Sequence, residues 1–295
     1  MRLSIVFLVL LLPSWAAAQE CTVTVLASFY DQLTKNEIET LKAEDLEVKI
    51  DGKIQPVQSA SRDFHNRLLI LLETEGSAKS DKLSELVNTV TAQAREAPEG
   101  QPVAFGIFAG KSLFTKEFLT DPDKRAKAIN AVIEEAGSLG KDAALWDTLH
   151  QALAVFGPHQ PGDTILLVGD PYDNASHRSP ESVEKEFIAH ETRLFMMRRL
   201  HGSRVDRDFV WRSHELEKMV LDRMTQETGG LLSEYVPSLI RFGWAGYILE
   251  FKVPALTRRT RKWKVQFRGA AADRHRKTNY YFPVLLPSCS PPKTS

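Results

Sequence analysis

Leu68-Leu-Ile-Leu-Leu-Glu-Thr-Glu-Gly-Ser77 is the stretch that decides the fold. An unbroken aliphatic run of this length reads as a strand buried on both faces. It runs straight into Glu73, Glu75, Gly76 and Ser77 before a helical pattern resumes. Open α/β sheets place their ligands outside the carboxyl ends of the strands, so one segment predicts both a core strand and a functional loop.

Outward from it, helix and strand patterns alternate. The spacing predicts a helix over Lys79 to Ala97, a strand over Val103 to Ala109 with a hairpin arm near Leu113 to Phe118, and a helix from Asp121-Pro122 to Ala136. Ala144 to Val155 is helical, with Leu145, Leu149 and Leu153 along one face, and Thr164 to Val168 is a further core strand. Ser179-Pro180 starts a helix through His190, Thr192 to Arg199 is a strand, and Ser213 to Thr228 is a helix ended by Gly229-Gly230, with a short strand over Leu231 to Tyr235. The pattern predicts an α/β class: a mostly parallel central sheet flanked by helices, Rossmann-like in outline.

Both chain ends read differently. Thr22 to Ala27 and Leu46 to Ile50 alternate, and Asp51-Gly52 is a two-residue turn returning through Ile54 to Val57. Gly246 to Val253, Trp263 to Phe267 and Tyr280 to Leu286 read as three more strands. They predict a small β-rich flank built from both ends. Residues 1–18 carry Arg2, the apolar run Leu3 to Leu12 and small residues before Gln19, the form of an export signal and too short to span a bilayer. The expected division is 1–18 signal, 19–62 N-terminal flank, 63–240 α/β domain and 241–295 basic C-terminal strands. An exported chain, secreted or periplasmic, with no transmembrane helix after cleavage is the expectation.

Cys21 and Cys289 are the chain's two cysteines. An oxidising compartment allows them to form one clasp between the termini, and two unpaired cysteines are the alternative. The chain has 38 basic and 38 acidic residues. From Arg241 onward, however, twelve Lys and Arg face only Glu250 and Asp273. Arg258, Arg259, Arg261 and Lys262 could contact an anionic envelope polymer; a solvated basic face is the plainer reading. Nothing repeats as a nucleic-acid module does, so no nucleic acid is expected.

The order of pieces resembles the von Willebrand factor type A-like domains of exported bacterial proteins. The likeness runs through Leu41 to Lys53 with its Asp-Gly-Lys turn, the Leu68 to Ser77 stretch, Phe118 to Asp121, Ala143 to Asp147, Ile165 to Asp170, Met224 to Gly230, Ala245 to Glu250 and Tyr280 to Pro283. The resemblance implies an A-type α/β fold, recognition of a protein partner, and a metal-ion-dependent adhesion site built from Asp-x-Ser-x-Ser, a Thr and a later Asp.

This chain departs from that pattern. Glu73 and Glu75 stand at the first Asp and Ser, Ser77 retains its type, Ala143 replaces the Thr, and Asp170 matches the last carboxylate but is followed by Pro171. Longer carboxylates and a deleted hydroxyl disfavour octahedral magnesium, so the site reads as degenerate, with no cofactor expected. A weak calcium or magnesium site through Glu73, Glu75, Ser77 and Asp170 is the alternative. The expected partner-binding rim comprises Glu73, Glu75, Ser77, Lys141, Asp142, Asp170, Tyr172 and Asp173, docking an unidentified protein ligand. No nucleophile elbow or phosphate-binding glycine motif occurs, so no catalytic residue is assigned, and a hydrolase is the weakest reading.

Overall fold

The computed structural model describes residues 20–34, 36–38, 40–62, 66–74, 87–88, 90–92, 94–95, 97–170, 172–198, 215–233, 246–254 and 262–287. The expected signal and most of the helix after Leu72 lie outside them. Two six-stranded sheets carry the fold.

The first is antiparallel. It contains β1 (Glu20–Asp31), β2 (Leu46–Ile50), β3 (Lys53–Arg62), β10 (Tyr247–Pro254), β11 (Trp263–Phe267) and β12 (Thr278–Tyr281), in the order β11-β2-β3-β10-β1-β12. Asp51 at φ 48° and Gly52 at φ 81° turn β2 into β3, the left-handed pair that a two-residue hairpin of this type requires. Alternate residues of the strands enclose one core: Val23, Val25, Ala27 and Phe29 of β1 pack with Val48, Leu249, Phe251, Val265 and Phe267. Two expectations are corrected here. The β-rich part is not a small flank but a sheet with as many strands as the other. The last strand stops at Tyr281 and does not reach Leu286, because Pro283 lacks the amide a ladder needs.

The second sheet contains β4 (Leu68–Glu73), β5 (Val103–Phe108), β6 (Ser112–Phe114), β7 (Thr164–Gly169), β8 (Arg193–Arg198) and β9 (Leu232–Ser233), ordered β6-β5-β4-β7-β8-β9. Every neighbouring pair is parallel except β5 with the hairpin strand β6. Helices α1 (Pro122–Glu134) and α2 (Leu145–Phe156) lie in sequence between β6 and β7, α3 (Pro180–His190) follows β7, and α4 (Glu215–Glu227) follows β8; α5 (Gly269–Arg274) belongs to the antiparallel part. None of the helices among the described residues is long and apolar enough to cross a membrane.

The strand alternation sorts the core. Leu68, Ile70 and Leu72 face Val90, Ala94 and Ile129 on one side of the sheet. Leu69 and Leu71 face Trp146, Leu149, Phe187 and Met224 on the other. All six β4 residues are buried, which is why the sequence shows an unbroken run rather than alternation. The antiparallel sheet docks at the end of the α/β sheet where the parallel strands begin. Arg193, the first residue of β8, donates from Nη2 to Ser28 Oγ at 3.1 Å, and a Cβ on Gly162 would press on Leu26.

Candidate functional site

Chain order reverses between β4 and β7: the chain moves from β4 out to β5 and β6, then returns to β7 on the other side of β4. Such a reversal leaves a crevice beyond the carboxyl ends of the two middle strands. Glu73 closes β4 and Gly169 closes β7, so both residues and Asp170 stand at that crevice.

Glu73 is 2% exposed. Its Oε2 accepts the Asp170 backbone N–H at 2.7 Å. The carboxylate reaches across because Gly169 has no side chain; a Cβ there would lie 2.6 Å from Glu73 Oε2 and 2.7 Å from its Cβ. Thr74 turns inward as well, its N–H and hydroxyl both donating to the Phe108 carbonyl at 2.9 and 3.1 Å.

The third segment is the lead-in to α2. Ala144, the residue before the helix, has no side-chain oxygen to cap it. The loop after β7 supplies the caps instead: Asp173 Oδ1 accepts the Leu145 N–H at 2.8 Å, and Ser176 Oγ accepts those of Trp146 and Asp147 at 2.9 and 3.1 Å. These are amides a helix start leaves orphaned. Asn174 Oδ1 accepts the Ala143 N–H at 2.8 Å, while the Asn174 and Ala175 amides donate to the Ala143 carbonyl. Asp147 answers by accepting the His177 and Arg178 amides, both at 3.0 Å. The Ala144 N–H donates to the Ala109 carbonyl beyond β5. Four separated segments are thus tied into one rim.

Electrostatics follow burial. Desolvation raises the Asp173 carboxyl above its ordinary range even though Ser176 Oγ and the backbone amides of Leu145, Trp146 and Ser176 pull the other way. Burial also pushes Asp147 upward, but the His177 and Arg178 contacts outweigh it and hold it below the usual carboxylate range. Lys141 and Asp142 are exposed, and Asp170, Tyr172 and Asp173 are half-buried.

Of the expected rim, Glu73 and Asp170 are in direct contact. Asp142 and Asn174 meet at 3.4 Å, and Asp173 is turned toward α2. Glu75, Ser77, Arg258, Arg259, Arg261 and Cys289 lie outside the described residues, while Lys262 is described and exposed. Cys21 is disulfide-bonded, and Cys289 is the chain's only other cysteine. Of the described candidate donors, Glu73 is turned onto a backbone amide and Asp173 caps a helix, and position 143 offers no side-chain oxygen. Among the described residues, no group of three or more His, Cys, Asp or Glu could hold a metal ion. Sequence reasoning missed Gly169, Asn174 and Ser176. The signal available for the last two was an Asp-Asn-x-Ser run lying after a strand, with an uncapped helix start elsewhere.

No family profile and no curated protein sequence matches this chain. Among solved structures, the protein BatB from Bacteroides thetaiotaomicron aligns at 14% identity and TM-score 0.38 over 45% of this chain. The alignment takes in 65% of that protein's length. Proximal thread matrix protein 1 of the mussel byssus, with a zinc-occupied MIDAS motif, aligns at 14% identity and TM-score 0.47 over 70% of this chain and 50% of its own. The SpRpn10 VWA domain aligns at 11% identity and TM-score 0.39, over 60% and 93% respectively. No residue role transfers at such distances. The resemblance to von Willebrand factor type A-like domains holds at the level of fold, and it stands on this chain's own strand order: a parallel sheet reversing between β4 and β7, an antiparallel edge strand, and helices on both faces.

Proposed function

We propose that this chain is an exported, non-enzymatic protein-binding module that docks its partner on the rim above Glu73 and Asp170 without a tightly held cation. One observation carries the reading: the Glu73 carboxylate is sealed over Gly169 onto the Asp170 amide. A contact of this kind organises the rim from within and does the positioning work that a cation performs in a metal-dependent site. Loops held by a rigid sheet are where binding residues concentrate. Lys141, Asp142, Asp170 and Tyr172 are the groups available to a partner.

The test is calcium and magnesium titration of the mature protein with thermal stability as readout, followed by capture of envelope proteins with and without chelator. A cation that prefers the folded state raises stability by mass action, by about 2.7 kcal/mol at a hundredfold excess over its dissociation constant. The expected result is an unchanged melting temperature at millimolar ion and partner capture that survives chelation and is lost in a Tyr172→Ala, Asp142→Lys variant. Ion-dependent stabilisation, or capture abolished by chelator, overturns metal independence; capture indifferent to the rim variant overturns the docking site.

A further inference from the structure

His159 stands in the loop between α2 and β7, beside the junction of the two sheets. Its Nδ1 lies 3.8 Å from Asp163 Oδ2 and its Nε2 3.7 Å from Glu191 Oε2, both too long for a hydrogen bond. The His190 ring meets it edge to face, with centroids 5.7 Å apart. His190 is the last residue of α3. Glu191 follows it in the left-handed region at φ 56°, a place at a helix end where Gly or Asn is the ordinary residue. Glu191 holds this costly conformation at the point where its carboxylate reaches His159.

The two carboxylates differ in their commitments. Asp163 is fully buried and already accepts Arg67 Nε and Nη2 at 2.8 and 2.6 Å and the Gln160 N–H at 3.0 Å. The counter-charge for an imidazolium at position 159 therefore falls to Glu191. Burial drives the His159 pKa below its ordinary value, and His190 and Arg67 add to that, while Glu191 and Asp163 oppose it. His159, Gly162, Glu191, Glu227 and Arg193 line a cavity of about 30 Å³ together with Leu26 of β1, and among the described residues the antiparallel sheet brings no charged group to it. Gly162 faces Leu26 directly: a Cβ on it would lie 3.3 Å from Leu26 Cδ2.

We propose that His159, His190 and Glu191 form a proton-operated loosening point at the junction of the two sheets. With His159 neutral, the loop that carries it packs against Leu26. The imidazole is part-exposed, so a proton reaches it from solvent. The resulting cation stands beside Arg67 and is drawn toward Glu191 Oε2, and the Gly162 contact with Leu26 relaxes. Because the folded pKa lies below the unfolded value of about 6.5, the contribution of His159 is complete above that pH and is lost as pH falls toward the folded value. The rim around Glu73 and Asp170 plays no part, so this inference stands or falls independently of the proposed function.

The experiment is an NMR titration of the histidines in the full mature chain from about pH 7.5 to about pH 5, with amide hydrogen exchange followed alongside and corrected for its intrinsic pH dependence. The reporting amides are Asp163, bonded to the Gln160 carbonyl, and Arg193, bonded to the Asp163 carbonyl, with Ile70 of the α/β core as reference. Protection at Asp163 and Arg193 should fall by about threefold or more over this range while Ile70 keeps its own, and His159→Gln should show no such fall. Glu191→Gln should move the His159 titration to lower pH, which a purely packing role for Glu191 would not do. If His159→Gln does not fold, the parent titration and Glu191→Gln decide. His159 titrating at or above its ordinary value, protection indifferent to pH, or the same fall in His159→Gln overturns the proposal. So does an equal fall at Ile70, which marks general acid unfolding.

Discussion

Gly169→Ala is the perturbation that most directly interrogates the crevice. The added methyl would lie 2.6 Å from Glu73 Oε2 and 2.7 Å from Glu73 Cβ, distances that no pair of such atoms tolerates. Gly169 is not among the glycines with positive φ, so the penalty is steric rather than conformational. Overpacking of a tight core site costs roughly 1–3 kcal/mol. Displacing the carboxylate forfeits its bond to the Asp170 amide, a hydrogen bond to a charged group worth roughly 1.5–3 kcal/mol. Together they predict a loss of about 2.5–6 kcal/mol by urea denaturation, with a melting temperature lower by about 2–4 °C per kcal/mol. The decisive arm is a double-mutant cycle. Glu73→Ala removes the oxygen collision and leaves the Cβ collision; Glu73→Gly removes both. Each should therefore make the added methyl at 169 less costly, the glycine more than the alanine, a non-additivity expected only for residues in contact. A Gly169→Ala protein as stable as the parent, or costs that simply add, refutes the sealed arrangement.

Three further outcomes follow from the same geometry. Ser176→Ala strips the acceptor from two amides at the start of α2, and the loss should be about 1–2 kcal/mol in denaturant titration, while Ser176→Asp restores much of it. Asp147 has a folded-state pKa below its unfolded one, so its contribution is present above the unfolded value of about 3.9 and fades as pH falls through the folded value. The melting-temperature gap between parent and Asp147→Asn should therefore narrow from pH 6 towards pH 3; a gap constant with pH contradicts the assignment. Arg193→Met removes the donor to the Gly229 carbonyl and one donor to Ser28 Oγ at the sheet junction, at a cost of roughly 2–4 kcal/mol that equilibrium unfolding would register.

Much of the α/β sheet was legible because its strands are buried on both faces and say so in consecutive aliphatic residues. Leu68 to Leu72 and Thr164 to Val168 needed no partner to be recognised as strands. Glu73 illustrates the limit. A carboxylate after an aliphatic run reads as the point where a strand emerges into solvent, and nothing local announces that Gly169, 96 residues later, makes room to bury it. The antiparallel sheet was under-read for a similar reason. Its order interleaves β1 between β10 and β12, so each segment from one chain end looks like an isolated strand until the other end arrives. Residues 282–286 keep an apolar composition because they roof a junction and bury Leu286, an environment that mimics strand burial without strand pairing.

The two ends of the parallel strands are built differently. At their starts, Arg193 and residues 282–287 tie the α/β sheet to its antiparallel neighbour, and burial depresses the arginine pKa to about 10. That value keeps the guanidinium charged at physiological pH, so the junction holds a buried charge that donates to a backbone carbonyl and a serine hydroxyl and lies over the Phe195 ring. Keeping such a charge from water is costly, and its hydrogen bonds at the junction offset that cost. At the strand finishes, by contrast, the polar groups are saturated locally: Glu73 by Asp170, the α2 amides by Asp173 and Ser176, Ala143 by Asn174. Lys141 and Asp142 are exposed at this rim and take no part in capping α2. Weakening the caps should therefore blur partner recognition before it unfolds the sheet, whereas weakening the junction should separate the sheets and leave the rim intact.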